Sequence, residues 1–328
     1  MKFNRIALAF LYIICSLFSL FFCGCERQQT GEASSSALEQ SAAEQLALKP
    51  EEAEPQQQIS FLFFSDTQAD IETGYYSGVG ELIALAATGV EKPNLVIFGG
   101  DTVNDGGDAD EWRDFWNAAM SLSGLTSAAV PGNHDNYPLL SEQFDYPVSA
   151  PSGQGEGYFY SFDKAPVHFI MLDSNIMGAA NEKDLKWLRA DLESMAARQA
   201  TWRIVVMHHP MWLIADNPKD AARAETMREF FLPLLQECGV DLVLCGHQHV
   251  YARSLPMSGD TVATNGKGIV QIMAASGGKQ SYVAGNWEYI SVSADAPNYL
   301  YIVADDESLI VTAYDGKGEP FDIYTITR

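Results

Sequence analysis

Cysteine and positive charge are the scarce components of this sequence. Five cysteines are present, and Cys15, Cys23 and Cys25 all crowd the N-terminal end. Cys238 and Cys245 flank and end one apolar run, so buried thiols acting as small apolar groups are expected, not a bridge. A disulfide framework is thereby excluded. Lys and Arg number 20 against 43 Asp and Glu, a formal net charge of -23. No basic stripe exists to neutralise phosphates, which excludes duplex nucleic acid and anionic lipid as general partners. The His-Glu-x-x-His helix of a zinc peptidase is absent, and no Ser or Cys stands in a recognisable nucleophile setting. No internal repeat is apparent.

Apolar residues, by contrast, suffice for a sizeable core: 47% of the 328 residues are hydrophobic and 11% are aromatic. That length suits one large domain or two small ones. Lys2 and Arg5 precede an apolar stretch from Ile6 to Phe22, the layout of a secretory signal. It ends in Phe22-Cys23-Gly24-Cys25, which resembles a bacterial lipoprotein signal, where a small residue precedes the cysteine that is acylated. The expected organisation is a signal over 1–24, a flexible linker over 25–58 and a folded domain over 59–328. The linker is rich in Glu, Gln, Ala and Ser and cannot bury enough surface to offset its ordering entropy. An uncleaved N-terminal anchor is the alternative, because the apolar run nearly reaches the ~18 residues of a spanning helix. Either way the chain is expected in the bacterial cell envelope, exported and held to a membrane through acylated Cys25 or through that anchor.

The folded region is organised around apolar runs of strand type that stop at polar clusters. Phe61 to Ser65 ends at Asp66, Leu95 to Gly100 at Asp101, and Ile204 to Met207 at His208. Val240 to Cys245 breaks at Gly246 and is followed by His247 and His249; the weaker run Ala128 to Gly132 ends at Asn133-His134-Asp135. Continuous apolar runs suggest buried strands. If the strands are parallel neighbours, their carboxyl ends share one rim, where open α/β sheets place ligands. Asp, Asn and His gathered there make a metal site. Helices are expected over 80–90, 109–122, 181–199 and 221–237, with Trp112, Phe115, Trp116 and Ala119 as core packing. Tyr158 to Ser161 and Val167 to Leu172 read as strands, and His168 within the second as a structural histidine. This alternation indicates α/β architecture with βαβ units. Beyond Tyr251, segments over 269–274, 299–304, 309–314 and 321–327 suggest antiparallel strands.

Asp66, Gly100-Asp101, Gly132-Asn133-His134-Asp135, His208 and Gly246-His247-Gln248-His249 together resemble, in residues and in order, the calcineurin-like metallophosphoesterases. The ending His247 to Ser254 looks nearest to the purple acid phosphatase branch. The resemblance implies a β-sandwich flanked by helices, with βαβαβ units and C-terminal antiparallel strands. It also implies two divalent or mixed-valence metal ions (Fe, Mn or Zn) and attack by metal-bound hydroxide on a phosphomonoester or phosphodiester. Asp66, Asp101 and His249 would hold the first metal; Asp101, Asn133, His208 and His247 would hold the second. His134 would face substrate as general acid or phosphate binder, with Asp135 orienting it. His209 either contacts substrate or supports the second metal, and Arg253 either binds a phosphate oxygen or forms a surface ion pair.

Two departures from the family pattern bear on the first metal. Gln68 stands where many members have His, and Asn104 where purple acid phosphatases have Tyr. Either is a possible ligand or a residue behind the ligands. Substrate choice is expected to rest on Tyr75, Tyr76, the insert 136–158 and the loop after Trp212. A small phosphorylated substrate and a monomer are expected. The alternative from another class is a catalytically weak surface lipoprotein that binds a phosphorylated ligand.

Overall fold

Strands without apolar–polar alternation need cover on both faces, and here the fold supplies it with two sheets and two layers of helix. The computed structural model describes residues 57–69, 76–135, 137–146, 159–177, 182–277, 279, 282–295 and 297–328. Of the expected signal and linker, only Gln57 and Gln58 fall among them, so Cys25, expected to be acylated, and the alternative anchor segment lie outside the described residues.

In the first sheet β1 (Ile59–Phe64), β2 (Leu95–Phe98) and β3 (Thr126–Ala129) run parallel. The C-terminal strands β13 (Asn298–Ala304), β14 (Ser308–Asp315) and β15 (Pro320–Thr327) continue it antiparallel from β1, giving the order β15-β14-β13-β1-β2-β3. The second sheet contains β4 (Tyr160–Lys164), β5 (Val167–Leu172), β6 (Trp202–Met207), β7 (Leu242–Cys245), β8 (Val250–Ser254), β11 (Val270–Met273) and β12 (Ile290–Asp295). Its order is β12-β8-β11-β7-β6-β5-β4, with β5, β6, β7 and β11 parallel. Between β8 and β11, β9 (Met257–Ser258) and β10 (Thr261–Val262) pair antiparallel.

The β-sandwich flanked by helices that the resemblance implies is present, and the apolar runs are divided between its two sheets, so the shared rim spans the sandwich. One expectation is corrected here. The segment over 269–274 is not purely antiparallel, because β11 pairs parallel with β7 and only its other edge meets β8 antiparallel. The antiparallel reading holds for β13 to β15.

Period-two packing on both faces explains the layers. Phe61, Phe63 and Ile97 of the first sheet meet Phe169, Ile204, Val206 and Leu244 of the second in the central core. The alternate residues Leu62, Phe64 and Phe98 turn outward against α1 (Ser77–Gly89), α2 (Ala109–Ala118) and α3 (Tyr137–Gln143). Trp112, Phe115 and Ala119 are core there, with Trp116 partly buried against them, as the helical spacing predicts. On the far side, Ile170, Val205 and Val243 pack under α4 (Glu182–Leu192), α6 (Pro218–Phe230) and α7 (Leu232–Glu237).

The two long helices expected on that side are each divided. Ser194 accepts from the Ala197 amide and starts α5 (Met195–Gln199) afresh after α4. The helix expected over 221–237 starts earlier, at the Asn217 cap, and Pro233 at the start of α7 interrupts it. His168 is held by Asp163 (2.7 Å) and Asp191 (3.1 Å), so it is structural, with carboxylate neighbours that chain spacing did not reveal. Cys238 and Cys245 are free thiols, as expected.

Candidate metal centre

The carboxyl ends of the parallel strands of both sheets meet at one rim, and each of the five strands that the motifs follow delivers site residues there. Asp66 follows β1, Asp101 follows β2, and Asn133 with His134 follows β3. From the second sheet, His208 follows β6, while His247 and His249 follow β7. Four of these side chains sit on left-handed backbone: Asp66 (φ 53°), Asp101 (φ 50°), His247 (φ 78°) and His249 (φ 47°). Positive φ in non-glycine residues stores strain, and such strain clusters where function over-determines the geometry. Tight approach across the rim also demands glycine at one point. A Cβ on Gly246 would overlap the Ser65 hydroxyl and the Asp66 carboxylate.

Two groups of potential ligands result, and Asp101 belongs to both. Asp101, His208 and His247 offer ligand atoms within 4.8 Å of one another, and so do Asp66, Asp101 and His249. The chemistry of the donors fits a metal. The Nδ1 of His208 is bonded to the Gly99 carbonyl at 2.9 Å, which fixes that nitrogen as the donor and turns Nε2 inward. Nε2 is buried with no hydrogen-bond partner, although Asp101 Oδ2 lies 3.3 Å away. Burial alone would depress the His208 pKa, but Asp101 and Asp66 outweigh it and push it up to about 9. Burial likewise favours protonating Asp101, and the charge of His208 overrides it and lowers the carboxyl well below the usual range. A divalent ion replaces such a proton on the imidazole and gains the paired carboxylate. Mixed imidazole and carboxylate donors suit zinc, iron or manganese better than calcium. Asn133 is exposed at the same rim, and the amide oxygen of Gln68 is buried without a partner.

A residue that sequence reasoning missed stands behind one of these ligands. Asp220, in the first turn of α6, takes His247 Nε2 at 3.0 Å and the Gln248 side chain at 2.9 Å. Held this way, His247 presents Nδ1 to the centre. Carboxylates behind ligating histidines set ring orientation and basicity, so Asp220→Asn is expected to weaken metal affinity about 10- to 100-fold. Competition against a chelator measures this, and unchanged affinity would refute the role. No motif marks Asp220; only its place at a helix start beyond the His208 loop does.

The roles expected around His134 are redistributed. His134 is exposed, and its Nδ1 meets the backbone carbonyl of Asn104 at 2.7 Å. Asp135 does not orient the ring as expected; its carboxylate accepts from the Gly132 (2.9 Å) and Thr102 (3.2 Å) amides and pins the turn. Burial, then Asp101, push Asp135 up to about 7. Asn104 therefore contributes through its backbone. His209 is buried, its ring 4.2 Å from that of His247 and its Nδ1 2.9 Å from the Ser174 hydroxyl, so the supporting alternative replaces substrate contact.

The sequence pattern of the calcineurin-like phosphoesterases matches residues 59–251, more than half of the chain. The chain belongs to the calcineurin-like phosphoesterase family. Among curated proteins, this chain is 31% identical over 188 residues to purple acid phosphatase 18 of Arabidopsis thaliana, covering 53% of the chain and 41% of that relative. It is 29% identical over 209 residues to another Arabidopsis thaliana protein, described as probable inactive purple acid phosphatase 9, covering 58% and 31%. The chain thus spans less than half the length of these relatives. The fold matches a purple acid phosphatase from yellow lupin (Lupinus luteus) seeds with a TM-score of 0.68 at 17% identity, over 83% of the chain and 54% of the lupin chain.

Other residues expected to contact substrate fall elsewhere. Arg253 lies four residues beyond His249, about 13 Å along a strand. Its guanidinium grips Asp322 of β15 at 2.7 and 3.1 Å, so it joins the two sheets and is not a phosphate ligand. That ion pair is largely buried, where a surface one was the alternative. Tyr76 is buried against Phe115 and donates to Glu111 at 2.6 Å, while Tyr75 lies outside the described residues. The loop after Trp212 is pinned by Gln248, which accepts from the Ile214 and Ala215 amides. Only α3 and the segment to Tyr146 represent the insert 136–158.

Proposed function

We propose that this chain is a metal-dependent phosphoesterase with a dinuclear centre, exported and tethered to a membrane of the bacterial envelope. The observation that carries the reading is the sharing of Asp101 between both candidate ligand groups in a member of this family. Asp66, Asp101 and His249 would hold one ion, and Asp101, Asn133, His208 and His247 the other, with Gln68 available to the first. Two divalent or mixed-valence ions of iron, manganese or zinc, when bound, polarise a phosphoryl group and acidify water.

The chain's own residues handle orientation and the leaving group. With Nδ1 tied to the Asn104 carbonyl, the exposed His134 presents Nε2 to the opening, where a proton can be passed to a departing alkoxide. Asp135 pins the turn that carries His134, while the Asn104 carbonyl holds the ring. Buried His209 and Asp220 hold His247. The substrate is a small phosphorylated molecule, and the protein acts as a monomer. Attachment is through acylated Cys25 or an uncleaved N-terminal anchor, ahead of a flexible linker that ends near residue 58.

A second reading is a catalytically weak protein that binds a phosphorylated ligand at the cell surface. Gln68 and Asn104 favour it, and one relative is described as probably inactive. The full chain in detergent, stripped of metal and given manganese, iron or zinc in turn, should hydrolyse para-nitrophenyl phosphate or its bis-ester only with metal added. Metal occupancy without turnover of either ester would sink the enzymatic reading and leave the binding one.

A further inference from the structure

The parallel strand β11 also ends at the rim, and the segment beyond Met273 belongs to neither ligand group. The strand register sets Met273 beside Cys245, the last residue of β7, so that segment emerges next to Gly246 and His247. It is tied down. Ser276 donates its amide to the Ser65 carbonyl at 2.8 Å and its hydroxyl to Asn298 at 2.8 Å. A Cβ on Gly277 would overlap the Asp66 carbonyl, so the chain passes directly against the Asp66 turn.

Two residues later, Lys279 reaches across the opening. Its Nζ lies 3.5 Å from His134 Nε2, a contact between groups 145 positions apart. The ammonium is half-buried and lies in the field of Asp101, Asp66 and Glu111, yet no carboxylate pairs with it among the described residues. Nδ1 of His134 is already bonded to Asn104. With Nδ1 donating to the Asn104 carbonyl, Nε2 of a neutral His134 accepts from the Lys279 ammonium, whose other N–H groups are left to donate to an incoming anion; a protonated His134 donates as well. The two residues approach from opposite sheets, and the carboxylates of the site are turned toward the ligand groups beneath.

We propose that Lys279 is a phosphoryl-binding residue that favours phosphomonoesters over phosphodiesters. This rests on the phosphoesterase reading above. A monoester presents one more anionic oxygen than a diester, and the ammonium beside His134 gives that oxygen a charge-assisted donor. A diester carries an ester substituent at the same place and gains little from the cation.

The test compares Lys279→Met and Lys279→Arg with the parent protein, as full chains in detergent loaded with the metal that best supports turnover, or with manganese. Metal content is measured in each. Calorimetry with inorganic phosphate and steady-state kinetics on para-nitrophenyl phosphate and its bis-ester supply the readouts. Lys279→Met is expected to weaken phosphate binding and raise the monoester KM roughly tenfold or more, with kcat and the diester KM changed less than about threefold. Lys279→Arg should keep most of the preference because it keeps the charge. Phosphate binding unchanged in Lys279→Met, or equal losses on both esters, would overturn the assignment. If the parent protein hydrolyses neither ester, the phosphoesterase reading fails, while the phosphate titration still decides whether Lys279 binds the anion.

Discussion

Asp101→Asn is expected to lower phosphoester turnover by roughly a thousandfold and to reduce the metal bound per chain. The carboxylate is almost fully buried, accepts the His134 amide through Oδ1 at 2.9 Å, and faces the unpartnered His208 Nε2 with Oδ2. An amide can replace one of these oxygens but not both. Its NH2 would either face an imidazole nitrogen that needs an anion, or displace the acceptor of the His134 turn. One of only two carboxylates in the ligand set is lost as well. The backbone should tolerate the change, because Asp101 sits at φ 50° and Asn adopts that region readily. A native circular dichroism spectrum with lost metal and lost turnover is therefore the expected combination. A variant that retained more than about a tenth of parental kcat/KM would show that Asp101 is not shared between two ions.

The largest effect on stability is expected far from the rim, at the pair that clamps the sheets together. Arg253 of β8 is buried and Asp322 of β15 partly so, Tyr251 donates to the same carboxylate at 2.6 Å, and the guanidinium lies 4.4 Å from the centre of the Tyr324 ring. Removing one partner leaves a buried charge uncompensated. Asp322→Ala should cost about 3 kcal/mol, seen as a fall in melting temperature of about 6 °C or more. Replacing both partners with apolar residues, Arg253→Met with Asp322→Leu, should recover most of the loss. Burial would raise the Asp322 pKa, but the Arg253 and Tyr251 hydrogen bonds outweigh it and hold the carboxyl below its usual range. Its contribution is thus complete above the ordinary Asp value of about 4 and fades as pH falls through the lower folded value. Thermal melts of parent and Asp322→Ala across acid pH check this. A gap that stayed constant well below pH ~4 would contradict the clamp.

Much of this site was legible in the chain because buried strands announce themselves. Phe61 to Phe64, Leu95 to Phe98 and Ile204 to Met207 are apolar at every position, and a polar residue after such a run has nowhere to lie but the rim. The same property left the assignment of runs to the two sheets to the family resemblance: β1 and β6 are equally apolar on both faces, and nothing local says which helices cover them. Arg253 misled because it follows a ligand motif closely in sequence, while an extended strand carries it away from the rim. Asp220 and Lys279 were missed for the opposite reason. Each lies in a segment without a motif and reaches the site only through tertiary docking. Ser194 and Pro233 were readable helix interruptions that apolar periodicity overrode.

The division of the ligands between the two sheets also fixes when they first meet. Asp66 lies 181 residues ahead of the His247 amide that bonds it. At cellular elongation speeds of about 5–20 residues per second, the ribosome separates them by on the order of ten seconds or more. Until His247 and His249 are made, Asp66 and Asp101 have only His134 and His208 of the site's imidazoles, so both candidate ligand groups are incomplete. Under the proposed metal centre, the ion taken up would be the one available where and when the last strands close the sandwich, so supply at that place and moment would weigh as much as the donor set.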